Sequence, residues 1–283
     1  GKNLLNRINY TLFPVEDHYL FLHEKSPRKG WGSYVINTAP HNGMVMEVPA
    51  PLEEWGALES ATWLFTSMQC KAMAVGGTKL SANDNGASNT LKNPFTLFST
   101  FHRTLGRSNI LQIRGHTAKS IRILSGQRTP PSLGKTPAVD TLLWIKGGVP
   151  SGLDLTFLEK NIDEFQIQWG DSPFENILRE SSHTGFAELM LNREHARRIM
   201  FKAPYYKLDL SLKLREESIV GYLQDWILKS KEHIAEKGSG RYQIPSLEEL
   251  LYFDHEIVTP LLNISKILYK NGKWTSEGVD ELN

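Results

Sequence analysis

Between residues 44 and 75 the chain spells out a strand, a helix and a second strand in quick succession. Met44-Val45-Met46-Glu47-Val48 is an apolar run closed by Pro49-Ala50-Pro51, which can continue neither a ladder nor a helix. Residues 53–68 then follow helical spacing, with Trp55, Leu58, Ala61 or Thr62, and Phe65 on one face. Residues 71–75 form another apolar run, ended by Gly76-Gly77. This order predicts a parallel, right-handed βαβ unit.

The alternation continues. Residues 95–105 read as a helix with Pro94 at its start, 109–113 as a strand, 141–145 as a strand and 153–162 as a helix. Residues 165–169 alternate like a strand, and 186–191 form a strand leading into a helix over 193–200. Upstream, 19–22 and 31–36 are further strands. The expected fold is α/β, with a mostly parallel or mixed central sheet flanked by helices. The polar stretch 79–93 is expected to loop over the carboxyl end of that sheet, and 127–137 is a Pro/Gly-rich loop.

After Pro204 the character changes. Residues 216–237 have one apolar helical face (Ile219, Tyr222, Leu223, Trp226, Ile227, Ile234), and Gly238-Ser239-Gly240 ends it. Ser246-Leu247-Glu248-Glu249 is a capping box opening a second helix to about residue 269, with a kink at Pro260. The division expected is an α/β hydrolase-like domain over 1–204 and a helical hairpin over 205–283. That hairpin is expected either to pack on the core or to reach a partner protein.

Composition narrows the function classes. With 32 basic and 31 acidic residues, net charge +1 and no long basic block, the chain gives no reason to expect a nucleic-acid partner. No apolar run of membrane-spanning length or signal peptide is evident. A start at Gly1 rather than Met reads as a piece of a longer protein, and the compartment (cytoplasmic, periplasmic or extracellular) stays open. Cys70 is alone, so an internal disulfide is excluded; it reads as a buried strand thiol. There is no Walker loop, no GxGxxG, and no Gly-x-Ser-x-Gly elbow of the ordinary serine hydrolases.

Chemistry-bearing residues cluster near the expected strand ends. They are His41 with Glu47, Arg114-Gly115-His116, Glu188 preceded by His183, and His102 on the intervening helix. A hydrolytic zinc site needs three nitrogen or oxygen ligands and a carboxylate to take a proton from bound water. His41, Glu47 and His116 are the candidate ligands and Glu188 the candidate base. Arg114, Arg193 or Arg197 is the candidate partner for a substrate carboxylate or a developing oxyanion. Each also has a plain alternative. His41 and His116 read equally as hydrogen-bonded loop residues, Glu47 as the solvent side of an edge strand, His102 as an ordinary helix residue, and Glu188 as an ion-pair partner of Arg193 or Arg197.

The order of these segments resembles a zinc-carboxypeptidase-like group that includes the N-formylglutamate amidohydrolases and poly-γ-glutamate hydrolases. Pro40-His41-Asn42-Gly43 is similar to that group's first motif, Arg114-Gly115-His116 to its later His-Gly, and Ala187-Glu188-Leu189 before Arg193 and Arg197 to its final glutamate strand. The resemblance spans roughly residues 31–200. It implies a zinc-dependent amidase or carboxypeptidase acting on an acidic amide or peptide. In a second register, Val48-Pro49-Ala50-Pro51 matches a Val-Pro-His-Pro version of the first motif. Ala50 and Arg114 then stand where histidine ligands belong. That register implies a catalytically inactive domain kept for binding or assembly, with a guanidinium supplying the missing positive charge.

Overall fold

A computed structural model describes residues 2–127, 139–162, 164–182, 184–202, 218–233, 238–270 and 273–274. A nine-stranded mixed sheet spans the molecule: β1 (Tyr10–Val15), β2 (Tyr19–Glu24), β3 (Ser33–Asn37), β4 (Val45–Val48), β5 (Ala72–Val75), β6 (Ile110–Gly115), β7 (Leu142–Lys146), β8 (Gln166–Trp169) and β9 (Phe186–Leu191). Their spatial order is β1-β2-β3-β5-β4-β6-β9-β7-β8. The central four, β5, β4, β6 and β9, are mutually parallel. Antiparallel strands extend the sheet on both sides, through β3 on β5 and β7 on β9.

The expected βαβ unit is present: β4 leads through α2 (Ala57–Ser67) into its parallel neighbour β5. The chain then crosses over the other face through α3 (Leu97–Thr104) to reach β6 on the far side of β4. Covered on both faces, the central strands are apolar almost throughout, as parallel strands must be. Each interior residue goes to one of two cores. Met46, Val48, Leu111, Ile113 and Leu189 join α2 on one face. Val45, Ala72, Ala74, Ile110 and Phe186 join α3 on the other.

Strand β1 was not legible because Pro14 interrupts it. It is an edge strand, and Pro14 is exposed there, where no ladder donor is needed. The C-terminal helices also depart from expectation. Helix α8 (Ile219–His233; α4 to α7 lie between and are given below) packs Ile219, Leu223 and Trp226 into the α2-side core. Helix α9 (Leu247–Tyr252), a π-helical turn (Phe253–Val258) and α10 (Thr259–Leu268) pack Leu250, Phe253, Ile257 and Leu261 into the opposite core. The two segments therefore sit on opposite faces of the sheet rather than against each other as a hairpin. Ser246 and Glu249 do form the reciprocal capping box, and the unwinding expected at Pro260 falls in the turn before it. The boundary expected at Pro204 lies outside the described residues. Among those residues no helix is long and apolar enough to cross a membrane.

One buried carboxylate stands inside this framework. Glu24, 2% exposed, accepts from the backbone N–H groups of Lys29, Gly30, Trp31 and Gly32 at 2.9–3.4 Å. Burial pushes its pKa up to about 7, against the pull of those donors and of Arg28. The folded state thus holds a proton that the unfolded state has released over about pH 4.5–7, so this group's contribution to stability falls as pH rises through that window. Thermal unfolding of wild type and Glu24→Gln should show wild type losing stability relative to the variant as pH rises from about 5 to about 8. A pH-independent gap would contradict the assignment.

Candidate functional site

Strand register places three polar side chains in one row. Glu47 on β4 pairs with Gln112 on β6, and Gln112 pairs with Glu188 on β9. Period-two alternation turns all three toward the α3 side, and each is at most 1% exposed. Buried carboxylates need partners, and neighbouring elements supply them. Helix α6 (Ile177–Ser181) and the turn before it bring Ser172, Asn176 and Arg179 over the row. Glu188 accepts from Ser172 Oγ at 2.7 Å, Asn176 Nδ2 at 2.8 Å and Arg179 Nη1 at 3.0 Å. Asn176 Nδ2 also donates to Gln112 Oε1 at 2.9 Å, and Gln112 Nε2 donates to Glu47 Oε2 at 3.1 Å. The remaining oxygen of Glu47 lies 2.7 Å from His102 Nδ1.

Arg114 stands at the carboxyl end of the row. The Ala50 carbonyl accepts from the N–H groups of Glu53 and Glu54, and that turn folds Glu54 back over the end of β6. Arg114 Nε and Nη2 then clamp the Glu54 carboxylate at 2.5–2.9 Å, while Glu54 Oε2 accepts the Gly115 N–H at 3.0 Å. Glycine fits tightly beside Arg114: a Cβ there would lie 3.1–3.3 Å from the Trp55 carbonyl oxygen and from Glu54 atoms, which would have to give by a few tenths of an ångström. Arg114 Nη1 has no hydrogen-bond partner and lies 3.8 Å from Glu188 Oε1. Burial opposes the charge on Arg114, but Glu54, Glu188 and Glu53 together hold its pKa above the ordinary value.

Above this pair is a cavity of about 390 Å³. The loops after β4, β5 and β6 enclose it, at the sheet edge where such folds hold ligands. Its polar wall includes Glu53, Glu54, Arg114 and Lys119; Leu80, Leu91, Ile123 and Phe174 are apolar neighbours. Lys119 is exposed in the first turn of α4 (Ala118–Ser125). The segment 79–93 does overlie the carboxyl edge, as its composition implied.

The candidate metal ligands are not brought together. His41 is exposed on the loop before β4 and lines a different cavity, of about 510 Å³, at the amino end of the strands with Asn42, Asn109 and Asp154 (the cap of α5, Leu155–Asn161). His116 follows the carboxyl end of β6. Val45 pairs with Ile110, so the two histidines are separated by the full strand length, about 20 Å at the usual rise per residue. Glu47 is neither at an edge nor in solvent; it is spent on His102 and Gln112. Burial pushes the His116 imidazole down to about 4, which leaves it neutral at physiological pH. Among the described residues no three His, Cys, Asp or Glu groups converge to hold a metal ion. The donor set therefore does not fit zinc at His41, Glu47 and His116, because strand polarity puts them at opposite ends of the sheet.

Of the catalytic candidates, Glu188 and Arg114 do share one buried network. Arg193 and Arg197 lie exposed on α7 (Arg193–Lys202), where Arg193 stacks over Trp55 at 5.2 Å. The ion-pair partners of Glu188 are Arg179 and Arg114 instead. Cys70 is buried, and burial pushes its thiol up to about 12, so it is an inert packing residue. Sequence reasoning missed Glu54, Gln112, Asn176, Arg179 and Ser172. Gln112 carried a signal, being the one polar residue within the apolar run 110–113 of a both-sides-buried strand. The others sit in turns and a five-residue helix and have no periodicity to betray them.

Comparisons with known proteins add little. No protein-family model and no curated protein matches the chain. Among solved structures it is similar to candidate metallopeptidases from Shewanella amazonensis (12% identity, TM-score 0.30), Shewanella denitrificans (14%, 0.31) and Shewanella baltica (10%, 0.32). Each similarity covers 70% of this chain and 82–85% of the other. A likeness at that level carries no information about chemistry.

Removing Arg114 strands the Glu54 carboxylate in the interior. Arg114→Met should lose about 3–5 kcal/mol in urea unfolding. Adding Glu54→Gln should recover about 1 kcal/mol or more through coupling. Strictly additive losses would show that the pair is not the unit described.

Proposed function

We propose that this domain is a binding module on a hydrolase-like α/β layout, in which the Arg114 guanidinium takes the role that a metal ion plays in the zinc-dependent amidase expected from the sequence. The observation that carries this reading is the Arg114 clamp. A fixed cation sits against Glu54, with Glu188 at 3.8 Å, at the carboxyl edge; the second register of the resemblance would set Ala50 and Arg114 in place of ligand histidines there. A permanently charged, planar group satisfies these carboxylates without needing a vacant coordination position. It offers no open site for water and no Lewis acid, so the domain binds its ligand without metal-assisted hydrolysis.

The ligand class that suits the cavity is a small acidic amide or peptide. Lys119, in the first turn of α4, offers a cation to a carboxylate, and the Leu80, Leu91 and Phe174 side accommodates its aliphatic part.

Calorimetric titration with an N-acylglutamate amide, combined with chromatography of the mixture, tests the reading. Binding without product is expected, weakened at least several-fold by Lys119→Glu. Release of glutamate that stops on chelation would instead establish the zinc-dependent amidase. Neither binding nor turnover would remove both readings.

A further inference from the structure

From its β4 side the polar row leads through His102 to a serine, and the donor–acceptor pattern fixes how it gets there. Asn176 Oδ1 accepts the Leu178 N–H at 3.2 Å, so Nδ2 is the group that donates to Gln112 Oε1 and to Glu188. With its carbonyl so engaged, Gln112 presents Nε2 to Glu47. A carboxylate only accepts, so Glu47 requires an N–H on His102 Nδ1 at 2.7 Å. In the neutral ring this leaves the Nε2 lone pair as an acceptor. It faces Ser182 Oγ at 3.3 Å.

His102 is fully buried, with its ring edge against Phe186, so water does not compete for its nitrogens. Ser182 caps the C-terminus of α6 and is partly exposed; at rest its one hydroxyl proton goes to the Leu178 carbonyl at 2.9 Å, and rotation about Cβ–Oγ turns that proton to His102 Nε2 without moving Oγ. A hydroxyl held beside the free nitrogen of a carboxylate-oriented imidazole is the arrangement that activates a serine. It arises here without a strand-to-helix elbow.

We propose that Ser182 is a nucleophile, with His102 as its general base and Glu47 as the group that positions the imidazole, competent for acyl or phosphonyl transfer from a small activated ester. With an ester, the Ser182 O–H proton passes to His102 Nε2 as Oγ bonds to the carbonyl carbon. The ester C–O bond then breaks, the leaving alkoxide takes the proton from His102, and acyl-Ser182 remains for water to hydrolyse. The site is independent of the carboxyl-edge cavity, and neither assignment depends on the other.

An alkyl fluorophosphonate tests the assignment on the full chain. Attack by Oγ forms the O–P bond, breaks P–F and releases fluoride and a proton. Intact-mass and peptide analysis should find one adduct, on Ser182, absent from Ser182→Ala. His102→Gln should slow labelling about a hundredfold or more. If that buried substitution prevents folding, the wild-type labelling rate serves in its place. It should rise with pH and level off as a single group loses its proton. No adduct on folded protein, an adduct that persists in Ser182→Ala, or a rate simply proportional to hydroxide would overturn the proposal. His102 would then be a satisfied core histidine tying α3 to α6.

Discussion

Three carboxylates are withdrawn from water: Glu47 and Glu188 within the parallel strands, and Glu54 over their carboxyl end. Transfer of an unpaired charge into such an interior costs many kcal/mol, so each must be met by hydrogen bonds or a cation. That requirement shapes the surroundings. It places Arg114 at the end of β6 and Gly115 beside it, where the Glu54 turn can close over the strand. It also brings His102 from α3 and Arg179, Asn176 and Ser172 from the α6 region. The sheet supplies the register; the charges decide which loops and helices may lie on it.

The row has two ends with different chemistry. At the carboxyl edge a buried ion pair underlies a mixed polar and apolar cavity, which suits recognition. At the amino side the same row orients an imidazole toward a partly exposed hydroxyl, which suits nucleophilic activation. The amino-side arm rests on Gln112, whose amide must face one way because Asn176 fixes its carbonyl. The carboxyl-edge clamp is built by Arg114, Glu54 and Gly115 without it.

Much of the fold could be read from sequence because apolar runs and helical spacing recur between Met44 and Leu191. The parallel β4–α2–β5 unit, the strands over 109–113 and 186–191, and the Ser246 capping box follow from local pattern alone. The edge strand with Pro14 was hidden because proline is tolerated only where no partner follows. The placement of the last helices on opposite faces depends on tertiary packing that no local signal encodes. For the site, the sequence singled out Glu188 and Arg114, which share one buried network, and the Ala50/Arg114 register set a guanidinium beside carboxylates, where Arg114 meets Glu54 and Glu188. It misjudged His41 with His116 because short motifs do not reveal which end of a strand they occupy. Glu54, three residues before the first residue of α2, was read as part of that helix rather than as the lid on β6.

The central claim is that a guanidinium occupies the role of a metal ion. Elemental analysis of the protein purified after exposure to zinc, with its melting temperature measured with and without chelator, addresses it most directly. No stoichiometric zinc and an unchanged melting temperature are expected. Zinc retained at one equivalent per chain, with destabilisation on chelation, would contradict it.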